Sequence, residues 1–538
     1  MKTVEDRVFL AIGLIGLVYF LVFLPINAQG ARDLNMLSVF SPDEFGQYPH
    51  LQRMLNQPAD SFMGSIYRFI QYKHYYYGFP FFLFSTLAIL PLIPFVGAGD
   101  ISLNLLLLRQ LVSVLPMLIG IGSLVYMQTG FKRTAQAILL YFFMLTIPMV
   151  MMNNLWWHPE SPVFLFVVLT FFFLQRDNLE FGRDFKLAAI ACGLATATKL
   201  IRLFFFLAIH GYLFFGWRRD RLAIGRIGIL AAQFLALMTL TFLISNPFLL
   251  FESEREAAFK IQSNQSEATA SGFVFTGDKS PASWLPVLEA NYAEIPFLGL
   301  SLIALILGIA DRQTRLLFLL ILLWVLPFSI YLFFFVALRH KYYFMPVVLP
   351  LVSTLPVLMV KIPPTVQCGK ASFLRLLATV LVFSLVGIQA VKNLQFSAGL
   401  VYDQWYKESR SESLKFFSTV ERNFLSKINL DRKLFILRDV RVYISADPRW
   451  EVRHRWGLIH YGYIERTKPD VIALWKQQVY DYTNTAVAES AVKPESLAEA
   501  LPFYNDARNG QIQGYSLVYE DDFGLFFLSD SLVDELTH

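Results

Sequence analysis

Two adjacent acids, Asp43 and Glu44, follow the first long apolar stretch of the chain and stand directly after Pro42. A carboxylate in such a place can act as a general base that removes a proton from an attacking hydroxyl group. A proline followed by acids is also typical of the first turn of a helix, where negative charge is favoured. The residue types therefore leave two roles open, general-base catalysis by one carboxylate or stabilisation of a helix terminus.

Basic residues occur at two separate places, each between apolar stretches. Lys199 and Arg202 lie at the tip of a predicted helical hairpin, and Arg339, His340 and Lys341 precede a late apolar stretch. Cations within a membrane protein are costly unless they are paired, and Lys and Arg bind phosphate, Arg often through two parallel hydrogen bonds. Two such places favour a phosphate-binding cavity. The alternative is that these side chains extend to the lipid headgroups.

His158 and Glu160 follow the pair Trp156-Trp157 at the predicted external end of the third span. The two tryptophans have an ordinary explanation as anchors at the membrane interface. A His with nearby carboxylates can bind a divalent cation or form hydrogen bonds with a substrate, and the spacing alone does not separate these roles.

A further set of His and Tyr residues could line a groove for an acceptor. His50, His74 and the run Tyr75–Tyr77 lie in the first polar loop, and Tyr342 adjoins the second basic site. The alternative is an amphipathic surface resting on the lipid headgroups. The sequence contains no phosphate-binding Gly-rich loop, Rossmann fingerprint, His-Glu-x-x-His or nucleophile elbow. It therefore argues against a nucleotide-hydrolysing pump.

The composition indicates what must position these residues. Of the 538 residues, 55% are apolar and only 16% are charged, against about 25% charged in soluble proteins. This is an integral membrane protein by composition, which excludes nucleic-acid binding, a secreted enzyme and a disordered scaffold. The net charge is a mild +5, and the two cysteines, Cys192 and Cys368, provide neither a disulfide framework nor a Cys-based metal site.

Hydropathy predicts about eleven membrane-spanning helices. The predicted spans are residues 8–25, 103–128, 134–151, 161–174, 187–198, 203–217, 225–245, 295–310, 316–336, 344–360 and 373–392. The first span follows Lys2 and Arg7 without a small-residue cleavage site, and we expect it to be retained rather than removed as a signal peptide. Residues 79–97 are apolar but carry Pro80, Pro91 and Pro94, which favours an interfacial or re-entrant segment.

The distribution of basic residues predicts which connections face the cytosol. If residues 79–97 do not cross, every second connection is rich in Lys and Arg, and those connections are cytosolic. The external parts are then a loop at 28–77, a loop at 246–292 and the carboxy-terminal segment. We expect a membrane domain over residues 1–395 and a small external α/β domain over 396–538. Strand-like stretches at 433–437, 515–519 and 523–528 and helix-like ones at 411–426 and 497–505 support this domain.

The order of these motifs over residues 1–395 resembles the polytopic glycosyltransferases of the GT-C fold. The resemblance rests on the early Asp43-Glu44 pair, on the Gly-x-Ala-x-x-x-Lys string from Gly193 to Lys199, and on Arg339 entering a proline-containing span. Within that superfamily it is similar to bacterial relatives of the lipid A aminoarabinose transferase and the protein O-mannosyltransferases. The chain lacks a His-Pro-Pro-Leu string and a Trp-Trp-Asp string, which argues against protein O-mannosylation and oligosaccharide transfer to Asn.

The resemblance implies an inverting transfer of a monosaccharide from a polyprenyl-phosphate donor to an acceptor hydroxyl of a glycan, lipid or protein. Asp43 would be the general base, and Glu44 would influence its pKa or contact the acceptor. Lys199, Arg202 and Arg339 would bind the lipid phosphate, whose developing charge needs fixed cations. If a divalent cation takes part, His158 and Glu160 are its candidate ligands; metal dependence differs within the superfamily and is left open.

Two other functions fit part of the sequence. A secondary transporter of an anionic or lipid-linked solute would also use buried cations, but the chain shows no duplicated hydropathy pattern. A ligase or polymerase of lipid-linked glycans would also place basic residues in external loops, but an early acidic pair is less expected there. The short loops favour a bacterial inner membrane, with membrane lipids as neighbours and the carboxy-terminal domain outside.

Overall fold

The computed structural model describes residues 3–55, 61–96, 100–200, 206–220, 223–272, 275, 277, 280–361, 370–428, 432–484 and 490–537. Arg202 and Cys368 lie outside the described residues. The first helices of the chain are α1 (Val4–Asn27), α2 (Leu34–Phe40), α3 (Pro42–Leu55), α4 (Phe62–Ile70), α5 (Phe79–Ile89), α6 (Ile93–Val96), α7 (Ile101–Leu108), α8 (Leu115–Thr129), α9 (Thr134–Leu145) and α10 (Pro148–Asn153).

The middle of the chain continues the helical bundle. Its helices are α11 (Glu160–Asp177), α12 (Arg183–Thr198), α13 (Phe206–Asp220), α14 (Ile224–Ile244), α15 (Glu252–Ser271), α16 (Trp284–Asn291), α17 (Ile295–Ala310), α18 (Arg315–Phe335), α19 (Met345–Val352), α20 (Pro356–Lys361) and α21 (Lys370–Trp405). One large buried apolar cluster joins most of these helices, whereas Ala258 of α15 belongs to a second cluster with the first loop; α11 packs closely against α12 and α8.

Within the described residues, six helices are long and apolar enough to cross a membrane, or seven if a bent pair counts as one span. They are Val4–Asn27, Ile101–Thr129, Ile224–Ile244, Arg315–Phe335, Lys341–Leu358 and Leu376–Trp405, and the pair bent by 94° is Pro281–Asn291 with Ile295–Ala310. The predicted number of about eleven is not confirmed. Several predicted spans form helices shorter than the roughly 20 residues that cross a bilayer: α9 has 12 residues and α12 has 16.

Two interruptions of the apolar helices matter for the site. The segment after α5 turns through a short 3₁₀ helix, Leu90–Leu92, into α6, so residues 79–97 do not form one long helix. Whether they cross stays a prediction. Between α7 and α8 the chain forms a π-helix, Arg109–Val114, in which Arg109 is buried. Such insertions are frequent at functional sites, and this one places a cation in the interior of the protein.

The carboxy-terminal part forms the predicted small α/β domain. Its helices are α22 (Lys407–Arg410), α23 (Glu412–Asn423), α24 (Tyr461–Thr467), α25 (Lys476–Thr483), α26 (Pro494–Arg508) and α27 (Asp530–Thr537). Its strands are β1 (Leu434–Arg438), β2 (Trp450–His454), β3 (Val471–Trp475), β4 (Tyr515–Glu520) and β5 (Gly524–Ser529). The sheet order is β2-β1-β3-β5-β4, with β1 parallel to β2 and β3 and the other pairs antiparallel. Helix α21 runs ten residues past position 395, and the domain boundary there stays a prediction.

This carboxy-terminal domain packs against the loop at residues 28–77. Met36 of α2 is buried in the same apolar cluster as Phe416 and Val442. The Ser38 hydroxyl donates to the Val440 carbonyl at 2.9 Å, and other hydrogen bonds of 2.9 to 3.0 Å join the two parts. Because α3 follows α2 after one residue, the domain contacts the loop segment that presents the acidic pair.

Candidate active site

A cavity of about 850 Å³ lies among the loop at residues 28–77, helix α15, the ends of the membrane helices and the carboxy-terminal domain, and we call it the site cavity. It brings together residues that are far apart in the sequence. Its lining residues are Pro42, Asp43, Gly46, Gln47, His50, His74, Tyr76, Tyr77, Lys199, Leu200, Gln262, Gln265, Ser266, Thr269, Tyr331, His340, Tyr342, Tyr343 and Trp456. The sequence predicted eight of these as candidate site or groove residues: Asp43, His50, His74, Tyr76, Tyr77, Lys199, His340 and Tyr342.

Asp43 stands in the first turn of α3 and faces the site cavity. Asp43, Gly46, Gln47 and His50 all line the cavity, and their spacing of three and four residues is that of one helix face. The Asp43 side chain stays accessible from within the cavity, while the surrounding protein removes most bulk water. Burial therefore raises the pKa of Asp43, and the Glu44 charge raises it further, against the opposing charges of Arg441 and Lys199.

Glu44 points away from the cavity into the protein, where its side chain is fully buried. Arg109 donates to it from Nε at 2.8 Å and from Nη2 at 2.5 Å, and the Trp157 backbone N–H donates at 2.5 Å. Arg109 also donates to the Asn27 carbonyl at 2.7 Å. The acidic pair is thus divided: Asp43 faces the cavity, and Glu44 joins α3 to the π-helix. Glu44 influences the pKa of Asp43 from this position but does not line the cavity.

Lys199 reaches the site cavity from the carboxy-terminal end of α12. Its ammonium group forms an ion pair with Glu160, which is completely buried, and 13% of the Lys199 side chain remains exposed. The Nζ atom lies 4.9 Å from the ring centre of Tyr342, 5.4 Å from that of Tyr343 and 5.9 Å from that of Tyr77. Negative faces of aromatic rings attract a cation. The pair and the three rings hold one positive charge at a fixed place.

Two glycines permit the close packing around Lys199. A Cβ atom on Gly193 would lie 2.8 Å from the Met238 carbonyl oxygen, so only glycine lets α12 approach α14 this closely. A Cβ on Gly78 would lie 1.6 Å from the Ala197 carbonyl oxygen. The Gly78 backbone N–H donates to the Thr198 carbonyl at 3.0 Å. The loop of Tyr77 is therefore fixed against the end of α12 by its backbone.

His158 and Glu160 are both buried beside the cavity. The Tyr77 hydroxyl and His158 Nε2 are 2.8 Å apart, and the His158 ring stacks on Trp156 with ring centres 4.2 Å apart. Glu160 is engaged by Lys199. No group of three or more His, Cys, Asp or Glu side chains within the described residues could hold a metal ion. Because Glu160 is paired with the Lys199 ammonium group and His158 is hydrogen-bonded to the Tyr77 hydroxyl, these two side chains do not fit the ligand set of a divalent cation.

The three residues of the basic tripeptide 339–341 do not share one environment, because only His340 lines the cavity. His340 lines the cavity, and its ring lies nearly parallel to that of Tyr342 at 5.1 Å. Burial, with the Lys199 charge second, lowers the pKa of His340 to about 4, so the ring is neutral at pH 7. Arg339 packs over Trp284, with its guanidinium carbon 6.0 Å from the ring centre. Arg339 and the exposed Lys341 are not among the residues that line the cavity.

His50 and His74 lie together on the cavity wall, with ring centres 4.9 Å apart. The Nδ1 atom of His50 is 2.9 Å from the Tyr72 carbonyl oxygen, which requires that this nitrogen carry the proton. Burial lowers the pKa of His50, and burial together with the His50 charge lowers the pKa of His74 to about 3. Both rings are neutral at pH 7 and offer hydrogen-bonding groups without charge.

Sequence reasoning missed two contributions to this site, one from the carboxy-terminal domain and one from α15. Trp456, in the carboxy-terminal domain, lines the cavity, and the charge of Arg441 in that domain acts on Asp43. Gln262 and Gln265 of α15 form another part of the wall. No local pattern marks Trp456 or Arg441, because a folded domain brings them to Asp43 from more than 390 positions away. For α15, the polar composition of a segment between apolar helices was the one sequence signal that could have pointed to Gln262 and Gln265.

A helical bundle with a small carboxy-terminal α/β domain is also the fold of two solved structures of ArnT from Cupriavidus metallidurans, and this likeness confirms the predicted GT-C fold. The one bound to undecaprenyl phosphate is 14% identical, with a TM-score of 0.53 over 97% of this chain and 98% of ArnT. The apo structure is 12% identical, with a TM-score of 0.50 over 96% and 98%. At such identities the likeness establishes the fold alone.

Other comparisons add little. The oligosaccharyltransferase of Archaeoglobus fulgidus aligns at 12% identity over 95% of this chain and 73% of its own, with a TM-score of only 0.40. No protein-family model and no curated protein matches the chain.

Proposed function

We propose that this protein is an inverting glycosyltransferase that moves a monosaccharide from a polyprenyl-phosphate donor to an acceptor hydroxyl at the external face of the membrane. The observation that carries the proposal is that Asp43 and Lys199 line one cavity in a chain with the fold of ArnT. The ArnT structure contains undecaprenyl phosphate, which supports a lipid-phosphate donor here. A carboxylate and a fixed cation in one cavity are the two groups that such a transfer requires.

In the proposed reaction Asp43 removes the proton of the acceptor hydroxyl. The hydroxyl oxygen then forms a bond to the anomeric carbon, while the bond between that carbon and the phosphate oxygen breaks on the opposite face. The electron pair of the broken bond goes to the phosphate, and the proton stays on Asp43 until it passes to water. The raised pKa of Asp43 makes its carboxylate a better proton acceptor than an ordinary aspartate.

Lys199 stabilises the negative charge that develops on the leaving phosphate. An ammonium group has three N–H donors, so it can bind Glu160 and a phosphate oxygen at the same time. Glu160 keeps the lysine charged in a buried place before the donor arrives. The rings of Tyr342, Tyr343 and Tyr77 hold the Nζ atom in position, which reduces the reorganisation needed when charge moves to the phosphate.

The other predicted phosphate ligands keep smaller parts in the proposal. His340 is neutral and can donate one N–H to a phosphate oxygen from the cavity wall. Arg339 and Lys341 flank it outside the lining, where they can attract the lipid phosphate on its way to Lys199. Arg202 also remains a proposed phosphate ligand, from outside the described residues.

The proposed location follows from the same chemistry. We assign residues 1–395 to the membrane of a bacterial cell envelope and residues 396–538 to its external side. An external cavity would meet a donor carried by a polyprenyl lipid and an acceptor glycan, lipid or protein outside the cytosol. A secondary transporter would release no polyprenyl phosphate from such a donor. A ligase that uses a diphosphate-linked donor would not release it either.

The Asp43→Asn variant tests the base. Purified protein would be given a polyprenyl-phosphate sugar and an acceptor, and release of polyprenyl phosphate would be followed. We expect the variant to lose turnover by about 10²–10⁴-fold, the usual contribution of a general base. Asp403→Asn, which removes an exposed carboxylate that pairs with Arg410, is the matched control and should keep full activity. Equal turnover by Asp43→Asn and the parent would exclude Asp43 as the base.

Lys199 is tested by binding of the donor. Because Lys199→Gln alone would leave Glu160 buried without its partner, we would compare the double variant Lys199→Gln/Glu160→Gln with the parent. We expect it to bind polyprenyl phosphate more weakly by about tenfold or more, since a charge-assisted hydrogen bond contributes roughly 1.5–3 kcal/mol. Lys392→Gln, at a surface ion pair with Glu294, should bind normally. Unchanged affinity in the double variant would exclude Lys199 as the phosphate ligand.

A further inference from the structure

Trp456 is an exposed tryptophan at the edge of the site cavity. It follows β2 of the external domain, and 61% of it is exposed to solvent although it lines the cavity. A large aromatic side chain is usually buried when nothing binds to it. An indole that is mostly exposed, at a cavity with hydrogen-bonding groups, is a surface on which a flat partner can stack.

The indole stands close to Asp43. The nearest atom to a Cβ built on Gly46 is the ζ2 carbon of Trp456, at 3.8 Å. Gly46 is three residues after Asp43, so the indole lies about one helical turn from the carboxylate. The rings of Phe45 and His454 contact Trp456, with centres at 5.7 and 5.5 Å. These contacts fix the indole against α3.

The adjoining wall of the cavity is polar but uncharged. Gln47 on α3 and Gln262, Gln265, Ser266 and Thr269 on α15 supply amides and hydroxyls. Each amide both donates and accepts hydrogen bonds, as sugar hydroxyls do. Among the described lining residues the charged side chains are Asp43 and Lys199.

These observations discriminate between classes of acceptor. A phosphorylated acceptor would need a second cation in the cavity lining beside the one proposed for the donor; Arg441, whose charge acts on Asp43, does not line the cavity and donates to the Val39 carbonyl. A lipid acceptor would need an apolar wall at this side. A neutral saccharide needs hydroxyl-binding groups and a flat apolar surface for the C–H face of its ring, and the cavity offers both next to the base.

We propose that the acceptor is a neutral saccharide, bound between Trp456 and the amide-lined wall of α15 with one hydroxyl directed at Asp43. The inference rests on the proposed glycosyl transfer and names its acceptor class. It also gives the external domain a part in the site, because its Trp456 supplies the stacking surface. In the transfer, the saccharide hydroxyl loses its proton to Asp43 as its oxygen bonds to the anomeric carbon, and the bond from that carbon to the donor phosphate breaks.

The first experiment compares acceptor probes in the donor-release assay. The probes are methyl glycosides and short neutral oligosaccharides of common hexoses, a glycosyl 1-phosphate and a Ser/Thr peptide. We expect release of polyprenyl phosphate to be stimulated by neutral saccharides. Stimulation by the glycosyl phosphate or by the peptide alone, or by none of the probes, would overturn the acceptor class.

The second experiment tests Trp456 itself. Trp456→Ala should raise the KM for the saccharide about three- to tenfold, as expected for a lost aromatic contact, and leave donor affinity unchanged. Trp456→Phe should restore most of the lost affinity, with a KM close to that of the parent. Trp405→Ala, which removes a tryptophan of similar exposure outside the cavity, should leave the KM unchanged. An unchanged KM in Trp456→Ala would overturn the stacking assignment alone, whereas full activity of Asp43→Asn would instead overturn the proposed function.

Discussion

At the scale of single residues, two neighbouring acids of like chemistry have opposite environments. Asp43 faces a cavity, where burial and the Glu44 charge raise its pKa. Glu44 is buried against Arg109 and serves the packing of α3. The same principle applies to Lys199, whose ammonium group is paired with the buried Glu160. Reactivity here is set by what surrounds a side chain and not by its type.

The charge of Arg441 provides a test of the environment of Asp43. Arg441 lowers the pKa of Asp43, because a nearby positive charge favours the carboxylate. In Arg441→Gln that pKa should rise. Since the base works only when deprotonated, activity falls as pH drops through this pKa, and the acid limb of the kcat/KM profile should move to higher pH.

The control for this prediction is Arg453→Gln, which removes an exposed Arg that pairs with Glu451 on the same domain. Its profile should coincide with that of the parent. A loss of activity in Arg441→Gln at every pH, without a shift of the acid limb, would show that Arg441 supports the fold and not the charge state of Asp43.

At the scale of elements, the sequence predicted the strands and helices whose signals are local. The strands near 433–437, 515–519 and 523–528 are present as β1, β4 and β5, because their alternation and turns are local signals. Asp43 was predicted as a base from its residue type and its place just after the first apolar stretch, and Lys199 was predicted as a phosphate ligand because an unpaired cation is costly there. The predicted number of spans stays unconfirmed, since an apolar run such as residues 134–151 breaks before Pro148 into the shorter helices α9 and α10.

Contacts between distant elements could not be predicted in this way. The pairing of Glu44 with Arg109 depends on a π-helix, which has no reliable sequence signal. The place of Trp456 depends on how the external domain packs against α2 and α3. Hydropathy gives the order of elements along the chain but not which residues of separate elements meet.

The Glu44–Arg109 pair is expected to fix α3 to the π-helix. Removing one partner leaves a buried charge uncompensated, so Glu44→Gln and Arg109→Met should each lower the free energy of unfolding by about 3–5 kcal/mol. The double variant should lose clearly less than the sum of the two. Unfolding by SDS in mixed micelles measures this, with Glu294→Gln at a surface pair as control, expected to change by about 0–1 kcal/mol. Additive losses would contradict a direct coupling.

At the scale of the whole molecule, the site cavity is formed where the membrane part and the carboxy-terminal domain lie together. The first loop supplies Asp43, the bundle supplies Lys199, and the carboxy-terminal domain supplies Trp456. Hydrogen bonds from Ser38 and Tyr443 join loop and domain. Because all these parts must lie on one side of the membrane, the sidedness of the external domain decides the sidedness of the proposed chemistry.

That sidedness can be tested with single cysteines in a background of Cys192→Ala and Cys368→Ser. Ser418→Cys on α23 and Gln313→Cys in the turn between α17 and α18 both replace exposed residues, so neither should disturb the fold. A membrane-impermeant maleimide should label Ser418→Cys in spheroplasts, because the domain is proposed to be external, and label Gln313→Cys only after the membrane is disrupted. The reverse pattern would place Asp43 and Lys199 on the cytosolic side, where a donor and acceptor outside the cytosol could not reach them.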